Sequence, residues 1–367
     1  MTSSAANFAI PATEDPPSQP VTRARWPVTG VIGLVVLGTM VLACLLTLPW
    51  TTGHGGSGQP RYNQQALDGN LLPPSWASIS AADAERRAMY FQRLAQEAEE
   101  GGQAFAAPFS ALGTDELGRD YLVRCLAGGG ISLTIGLAAA AISVFIGTLY
   151  GMIAGFVGGR TDAVMMRIVD ILYGLPYVLL VVLMAVAIDG LFDRMQASSI
   201  AAARDSVLVS FVNDNRAAIN VVTLLVAIGG VSWLTMARVI RGQVLSLKNQ
   251  QFMEACRALG VPMTRQFTRH LLPNLLGPII VYATLTVPQA ILQESFLSFL
   301  GIGIQAPMPS WGNLAATGLA QINPVNSRWW LILWPCLLLA LTLLSLNFLG
   351  EWLREVFDPK RRLRTRA

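Results

Sequence analysis

The residues best placed to do chemistry in this sequence form a charged, helix-forming island between two strongly apolar segments, from Glu254 to Asn274. The island holds one carboxylate, three arginines and one histidine, with Gly260 near its middle. These groups suit docking to another protein better than covalent catalysis, because they do not form the constellation of residues expected of an active site. The island therefore indicates a docking element between two membrane segments.

Other candidates for catalysis or ligand binding are isolated from one another. The two histidines, His54 and His270, are far apart in the sequence, and none of the four cysteines forms a Cys-x-x-Cys pair. Neither lysine, Lys248 or Lys360, stands in the Gly-x-x-x-x-Gly-Lys-Ser/Thr pattern of an ATP-binding loop. We therefore expect no catalytic residue, no metal site and no cofactor in this chain.

Composition predicts a membrane protein. The chain is 53% hydrophobic and 13% charged, whereas soluble proteins carry about 25% charged residues. A helix needs about 20 apolar residues to cross a bilayer. Six runs are long enough and predict an all-α polytopic protein, with spans at 28–48, 131–156, 168–188, 219–240, 276–296 and 329–349.

The distribution of basic residues predicts the orientation. If the N-terminus is inside, most of the 26 Arg and Lys residues fall in inside segments, as the positive-inside rule favours. Both termini are therefore expected in the cytoplasm. The first span is interpreted as a retained anchor, because its run exceeds the roughly 7 to 15 apolar residues of a signal peptide. A cleaved signal peptide is the alternative.

The predicted organisation has five parts. A disordered cytoplasmic tail is followed by the first membrane helix and an extracytoplasmic segment with a charged, solvated helix at 81–100. A core with five spans comes next, and a basic cytoplasmic tail ends the chain. The boundaries are 1–27, 28–49, 50–112, 113–350 and 351–367, and the core includes an extracytoplasmic insert at 189–216 and the island's loop at 249–274.

The island is predicted to form two short helices around a turn. Good helix formers at 251–259 precede Gly260, which can adopt positive φ, and Pro262 prevents the first helix from continuing. Thr264 is expected to cap a second helix that ends near Pro273. An amphipathic loop lying on the bilayer is the alternative. In the docking interpretation, a partner's cleft receives Phe252, Met253, Leu259 and Phe267.

Polar residues within the spans carry weaker predictions. Arg167 and Asp170, three residues apart in the third span, are expected to form an ion pair, and the Gly-Leu-Pro sequence ending at Pro176 is expected to kink that helix. The fifth span carries polar residues at helical spacing, which could line a water-filled path or outer gate or be satisfied at the headgroup level. These residues are Gln289, Gln293 and Glu294.

The island also resembles a known signature. Glu254-Ala255, Gly260 six residues after the Glu, and Leu272-Pro273 further on are similar to the EAA motif of ABC importer permeases. The segment 269–274 resembles the dipeptide, oligopeptide and nickel branch, although Cys256 stands where the family usually has Ala. The resemblance implies that an ATPase subunit binds Phe252, Met253, Glu254, Ala255, Arg257, Ala258, Leu259 and Gly260, and that His270, Leu272, Pro273 and Asn274 shape the loop.

Three further stretches resemble the C-type subunits of the same branch. They are 113–120 before the second span, 295–304 with 309–312 after the fifth, and 350–359 at the C-terminus. Together they imply a type I ABC importer permease fold with a cytoplasmic coupling helix. The resemblance also implies that an extracytoplasmic solute-binding protein docks near Asp115, Arg119, Asp120 and Trp311.

By this resemblance, the chain is a permease subunit of an ATP-driven, binding-protein-dependent importer for peptides or related solutes. It would lie in the bacterial plasma membrane with a B-type permease, one or two ATP-binding subunits that carry ATP and Mg, and the solute-binding protein. No nucleic acid is expected as a partner. An autonomous channel or secondary carrier is the alternative. Dipeptides, oligopeptides, nickel chelates and peptide antibiotics all fit the sequence as substrates.

Overall fold

The computed structural model describes residues 28–54, 58–77, 80–100, 109–201, 216–323 and 327–357. The predicted tail at 1–27, most of the second half of the insert at 189–216 and the C-terminal tail beyond 357 lie outside the described residues. Within this part, helices dominate, as the composition predicts. The helices are α1 (Val28–Thr52), α2 (Ala81–Glu100), α3 (Tyr121–Val157), α4 (Gly159–Tyr173), α5 (Tyr177–Ala201), α6 (Arg216–Lys248), α7 (Gln251–Ala258), α8 (Met263–Arg265), α9 (Leu272–Phe299), α10 (Trp311–Ala320) and α11 (Trp330–Phe357).

The number of spans agrees with the predicted fold class. Five helical segments in the described part are long and apolar enough to cross a membrane, and there are six if α4 and part of α5 form one bent span. The spans extend beyond the apolar runs that predict them. For example, α3 begins at Tyr121 because Asp120 caps it, with its carboxylate accepting the backbone N–H groups of Leu122 and Val123 at 2.8 and 3.2 Å.

The predicted third span, 168–188, is wrong as a single helix. Helix α4 ends at Tyr173 and α5 begins at Tyr177, and the two are bent by 92°. Pro176 has no N–H to continue the helical ladder, and it disfavours helical backbone at Leu175. The Gly-Leu-Pro sequence therefore separates two helices instead of kinking one.

The centre of the bundle is the packing of α3 against α6. At Gly151 of α3, an added Cβ would lie 2.4 Å from the carbonyl oxygen of Ala237, and at Gly155 it would lie 2.9 Å from the Cβ of Val244. Small residues allow this close approach, which is a common way for membrane helices to associate. The α3–α6 pair thus supplies a rigid support for the elements at its ends.

The first and last spans run side by side in opposite directions. A Cβ at Gly30 of α1 would lie 2.9 Å from the Cβ of Trp352 in α11, so the start of α1 meets the end of α11. The ends of α3 and α6 also meet, because Lys248 Nζ donates to the carbonyl of Phe156 at 2.6 Å. We call this side of the bundle the α7 end, and the opposite side the α10 end.

The predicted charged helix at 81–100 is present as α2 and is attached to the bundle. Arg86 Nη2 donates to both the carbonyl and the side-chain oxygen of Asn70 at 2.7 Å. Arg328, just before α11, pairs with Asp83 at 2.9 Å. No residue of α2 is fully buried, so the helix lies on the surface at the α10 end.

Candidate functional site

Helix α7 presents two different faces. Met253 and Cys256, three residues apart, are buried, while Glu254, Ala255 and Arg257 are exposed. Positions three apart lie on the same side of a helix, so the buried pair fixes this amphipathic helix against the bundle. The remaining side chains form an exposed surface.

The turn after α7 is a Schellman motif. Gly260 has φ +65° and donates its N–H to the carbonyl of Arg257 at 3.0 Å, and Val261 donates to the carbonyl of Cys256 at 3.0 Å. Both bonds satisfy carbonyls at the end of the helix, and glycine adopts this left-handed backbone without strain. The prediction of a Gly260 turn after a helix is confirmed.

The second half of the predicted loop differs from expectation. Pro262, rather than Thr264, stands at the N-cap of α8, and no side chain caps this helix. The chain then passes through a π-helical turn, Gln266–Leu271, into α9. Pro273 lies in the first turn of α9, directly after the π-helical turn. The predicted helix end near Pro273 is therefore wrong, and the loop continues directly into a span.

Most of the apolar residues predicted to enter a partner's cleft face the chain's own core. Met253 is fully buried in a cluster with Leu271 and Leu275, and Phe252 and Phe267 pack partly buried against it. This cluster joins α7 to the start of α9. The prediction that Met253 contacts an ATPase subunit is wrong for this reason.

The most exposed large apolar side chain of the loop is Leu259. It is 81% exposed at the end of α7, beside Ala258 and Gly260, which are also exposed. Met263, on the other side of the turn, is 51% exposed. The surface from Glu254 to Gly260, which we call the coupling surface, thus combines charged groups with one protruding apolar side chain.

Ion pairs fasten α4 to α6. Arg241 of α6 binds Asp162 of α4 through two hydrogen bonds, Nε to Oδ1 at 2.5 Å and Nη2 to Oδ2 at 2.6 Å. Arg238 donates from Nη2 to Oδ1 of Asp170 at 2.8 Å. Asp170 therefore pairs across helices with Arg238, and the predicted pairing with Arg167 on its own helix is wrong.

The residues predicted to shape the loop lie at the start of α9. His270 is half-buried in the π-helical turn, and its carbonyl accepts a hydrogen bond from Asn274 Nδ2 at 2.6 Å. Leu272 and Pro273 are exposed. These contacts are structural, and they hold the junction between the loop and the span.

Comparison with known proteins identifies the chain. The model of the family described as binding-protein-dependent transport system inner membrane components matches residues 147–363. The chain belongs to this family. This permease, a transport subunit rather than an enzyme, has the type I importer permease fold expected from the sequence.

Named relatives of the permease share much of its length. The oligopeptide transport system permease protein OppC of Haemophilus influenzae is 45% identical over 250 residues, covering 68% of this chain and 70% of that protein. The dipeptide transport system permease protein DppC of Bacillus subtilis is 42% identical over 250 residues, covering 68% of each. The di/tripeptide transport system permease protein DppC of Pseudomonas aeruginosa is 33% identical over 332 residues, covering 90% and 88%.

At the α10 end of the permease, a buried ion cluster lies before α3. Asp115 accepts from Arg119 Nε at 2.8 Å and also pairs with Arg124, while Arg119 Nη1 donates to Asn63 at 3.0 Å. All three charged residues are buried. The prediction that Asp115 and Arg119 contact a binding protein is wrong, because the cluster instead ties the loop to α3.

Asp120 and Trp311 have different surroundings. Burial raises the pKa of Asp120, and the hydrogen bonds from the N–H groups of Val123 and Leu122 partly offset this rise. The residue also borders an open cleft of about 690 Å³. Trp311 is buried, and its Nε1 donates to the carbonyl of Cys125 at 3.1 Å. Like Asp115 and Arg119, Trp311 is therefore too buried to contact a binding protein. Of the four predicted docking residues, Asp120 stays a candidate.

The three polar residues of α9 do not share one environment. Gln289 is exposed, and Gln293 is half-buried, accepting a hydrogen bond from the hydroxyl of Tyr177 at 2.5 Å. Glu294 is fully buried. The prediction of a shared path is wrong for Glu294, which is enclosed by other parts of the chain.

Sequence reasoning missed Gln266, Arg124 and Asp162. Gln266 is buried and Asp162 pairs across helices, yet neither belongs to a motif that sets it apart from exposed neighbours. Arg124 follows the recognised 113–120 stretch by four residues, where hydropathy alone does not yet indicate a span. The available signal for Arg124 was its position one turn after Asp120, which caps the helix and so places Arg124 in its first turns.

Proposed function

We propose that this permease serves an ATP-driven importer for peptides and that its coupling surface, Glu254 to Gly260, binds a separate ATPase subunit. The observation that carries the proposal is the exposure of Leu259 at 81% and of Met263 at 51% on the two sides of the turn, while Met253 is packed against the bundle. Exposed apolar side chains that lie together among polar groups are typical of a binding surface. The peptide substrate follows from the names of the relatives.

Movement of the ATPase subunit would reach the membrane through packed contacts. The buried face of α7 packs with Leu271 and Leu275, and α8 continues through the π-helical turn into α9. Well-packed interiors transmit displacement instead of absorbing it. A shift of α7 would therefore tilt or rotate α9, and transport by alternating access needs no covalent step in this chain.

The importer would contain further subunits. A B-type permease would complete the path, and an extracytoplasmic binding protein would deliver the substrate. ATP and Mg would bind to one or two ATPase chains, since this sequence lacks an ATP-binding loop. The positive-inside rule supports a cytoplasmic position for α7 and both termini.

The experiment compares two added charges at exposed apolar positions of the α7 end. Leu259→Asp alters the coupling surface, and Val356→Asp, at a residue 42% exposed in α11, is the matched control. In proteoliposomes that contain the full complex, Leu259→Asp should insert normally, lose the ATPase subunit and reduce ATP-dependent peptide uptake to background. Val356→Asp should retain both.

Two results would overturn the proposal. Full ATP-dependent uptake by the Leu259→Asp complex would show that the surface is not the ATPase contact. Peptide uptake by this chain alone, without ATP, would instead establish an autonomous channel or carrier.

A further inference from the structure

Glu294 in α9 is a carboxylate enclosed by hydroxyl groups. It is fully buried. Ser298 Oγ donates to its Oε1 at 2.8 Å, and Ser295 Oγ to its Oε2 at 3.3 Å. The hydroxyls of Ser132 in α3 and Ser310 before α10 also interact with it. Within the described residues Glu294 forms no salt bridge, so hydroxyl groups take the place of a cation.

Three of these serines connect the carboxylate to backbone N–H groups beyond α9. Ser298 Oγ accepts from the N–H of Ile304 at 2.9 Å. Ser132 Oγ accepts from Trp311 at 3.3 Å, and Ser310 Oγ accepts from Asn313 at 3.2 Å. A hydroxyl has one proton to donate and lone pairs to accept with. Each serine can therefore give its proton to Glu294 while it holds an amide of the segment 304–313.

The direction of these bonds requires an acceptor at position 294. An ionised carboxylate only accepts hydrogen bonds, on two oxygens, whereas a glutamine amide has one acceptor oxygen and a donor group. Two of the accepted amides, those of Trp311 and Asn313, belong to the first turn of α10. The serine hydroxyls thus connect Glu294 to the start of α10.

The segment also lies tightly on α9. An added Cβ at Gly312 would lie 2.0 Å from the carbonyl oxygen of Ser295, and at Gly303 it would lie 2.4 Å from Ser298 Oγ. Such spacing leaves no room for a side chain. The segment 303–312 is therefore held by close backbone contact as well as by the serine hydroxyls.

We propose that Glu294 is a positioning residue that fastens the segment 300–313, with the start of α10, to α9. One continuous helical path, 263–299, runs from the loop 249–274 to this point. Movement of α9 at the α7 end would then displace the α10 end as part of the same unit. The fastening itself is independent of the proposed function, whereas its use in transport rests on that function.

The test of the fastening is hydrogen exchange of the purified complex that carries Glu294→Gln. Exchange of the amides of Ile304, Trp311 and Asn313 should rise about tenfold or more, the effect of losing a buried hydrogen bond, while exchange in α7 stays unchanged. Glu351→Gln, an exposed carboxylate in α11, is the control and should change neither. Ser298→Ala, which should release Ile304 more than Asn313, serves if the glutamine variant assembles poorly. Unchanged exchange in both variants would overturn the proposal.

The test of its role in transport is the ratio between ATPase rates with and without substrate-loaded binding protein. Glu294→Gln should keep the basal rate and lose stimulation, whereas simple destabilisation would lower both rates together with the amount of complex. Faster exchange combined with normal stimulation and uptake would overturn the transport role and leave the fastening intact. A wild-type complex without any stimulation would instead count against the proposed function.

Discussion

Gln266 donates a hydrogen bond from its side-chain amide to the backbone carbonyl of Val261, with 2.6 Å between nitrogen and oxygen. The donor lies in the π-helical turn and the acceptor follows Gly260, so the bond closes the turn after α7 onto the helix that enters the membrane. Gln266 is buried and Val261 is half-buried, and a hydrogen bond of this kind contributes about 0.5 to 1.5 kcal/mol. The bond therefore holds α7 and α9 in one arrangement.

Gln266→Met should loosen this loop without unfolding the bundle. Methionine fills a similar volume but cannot donate, so amide exchange in residues 256–266 should rise about fivefold, in line with the net contribution of one hydrogen bond. Gln251→Met, at an exposed position of α7, is the control. Equal exchange in the two variants would show that the bond does not hold the loop.

The backbone at Gly260 makes a second prediction. Its φ is +65°, and an added Cβ would meet no atom within 4 Å, so a substitution there is opposed by conformation alone and not by a clash. Asparagine tolerates left-handed backbone, whereas a β-branched residue does not. Gly260→Asn should keep most ATP-dependent uptake, and Gly260→Val should lose most of it at normal membrane levels. Similar uptake by both variants would argue against a need for this turn.

The attachment of α2 should weaken in acid. Burial raises the pKa of Asp83, but hydrogen bonds from Arg328 and Ser80, with the charges of Arg328 and Arg86, outweigh it and hold the pKa below the usual value. Because the folded-state pKa is depressed, the stabilisation is complete above the unfolded pKa of about 3.9 and is lost as pH falls through the folded value.

Hydrogen exchange of residues 81–100 as a function of pH measures this loss. In the wild type, exchange corrected for its intrinsic pH dependence should accelerate below about pH 4. Asp83→Asn should exchange faster already at neutral pH and lack the acid step, and Glu85→Gln, at an exposed position, should behave like the wild type. Retention of the acid step in Asp83→Asn would assign it to another group.

Local chemistry made part of this structure predictable. Long apolar runs identify spans because a bilayer requires helices of that length. Gly260 and Pro262 predict the turn because each restricts the backbone in a known way. The limits of α2, Ala81–Glu100, also follow from composition. In each case the signal lies within a few residues of the feature.

The incorrect predictions depend on distant contacts. Met253 is buried because residues from α3, α6 and α9 surround it, and no property of α7 alone says which of its apolar residues will be covered. Asp115 looks like a surface acid until Arg124 reaches it from α3. The cap at Thr264 was a sound local expectation, but a continuous helical path into α9 replaced the predicted separate helix.

Labelling of one engineered thiol measures directly whether the coupling surface binds an ATPase subunit. Leu259→Cys is placed in a Cys336→Ser chain, since Cys336 is exposed and the other native cysteines are buried. Inside-out vesicles are treated with a membrane-impermeant maleimide, with or without ATPase subunits, and Glu351→Cys reports general access to the α7 end. We predict that the ATPase subunits reduce labelling at 259 to near background and leave 351 unchanged. Equal labelling at 259 with and without them would contradict the proposed coupling.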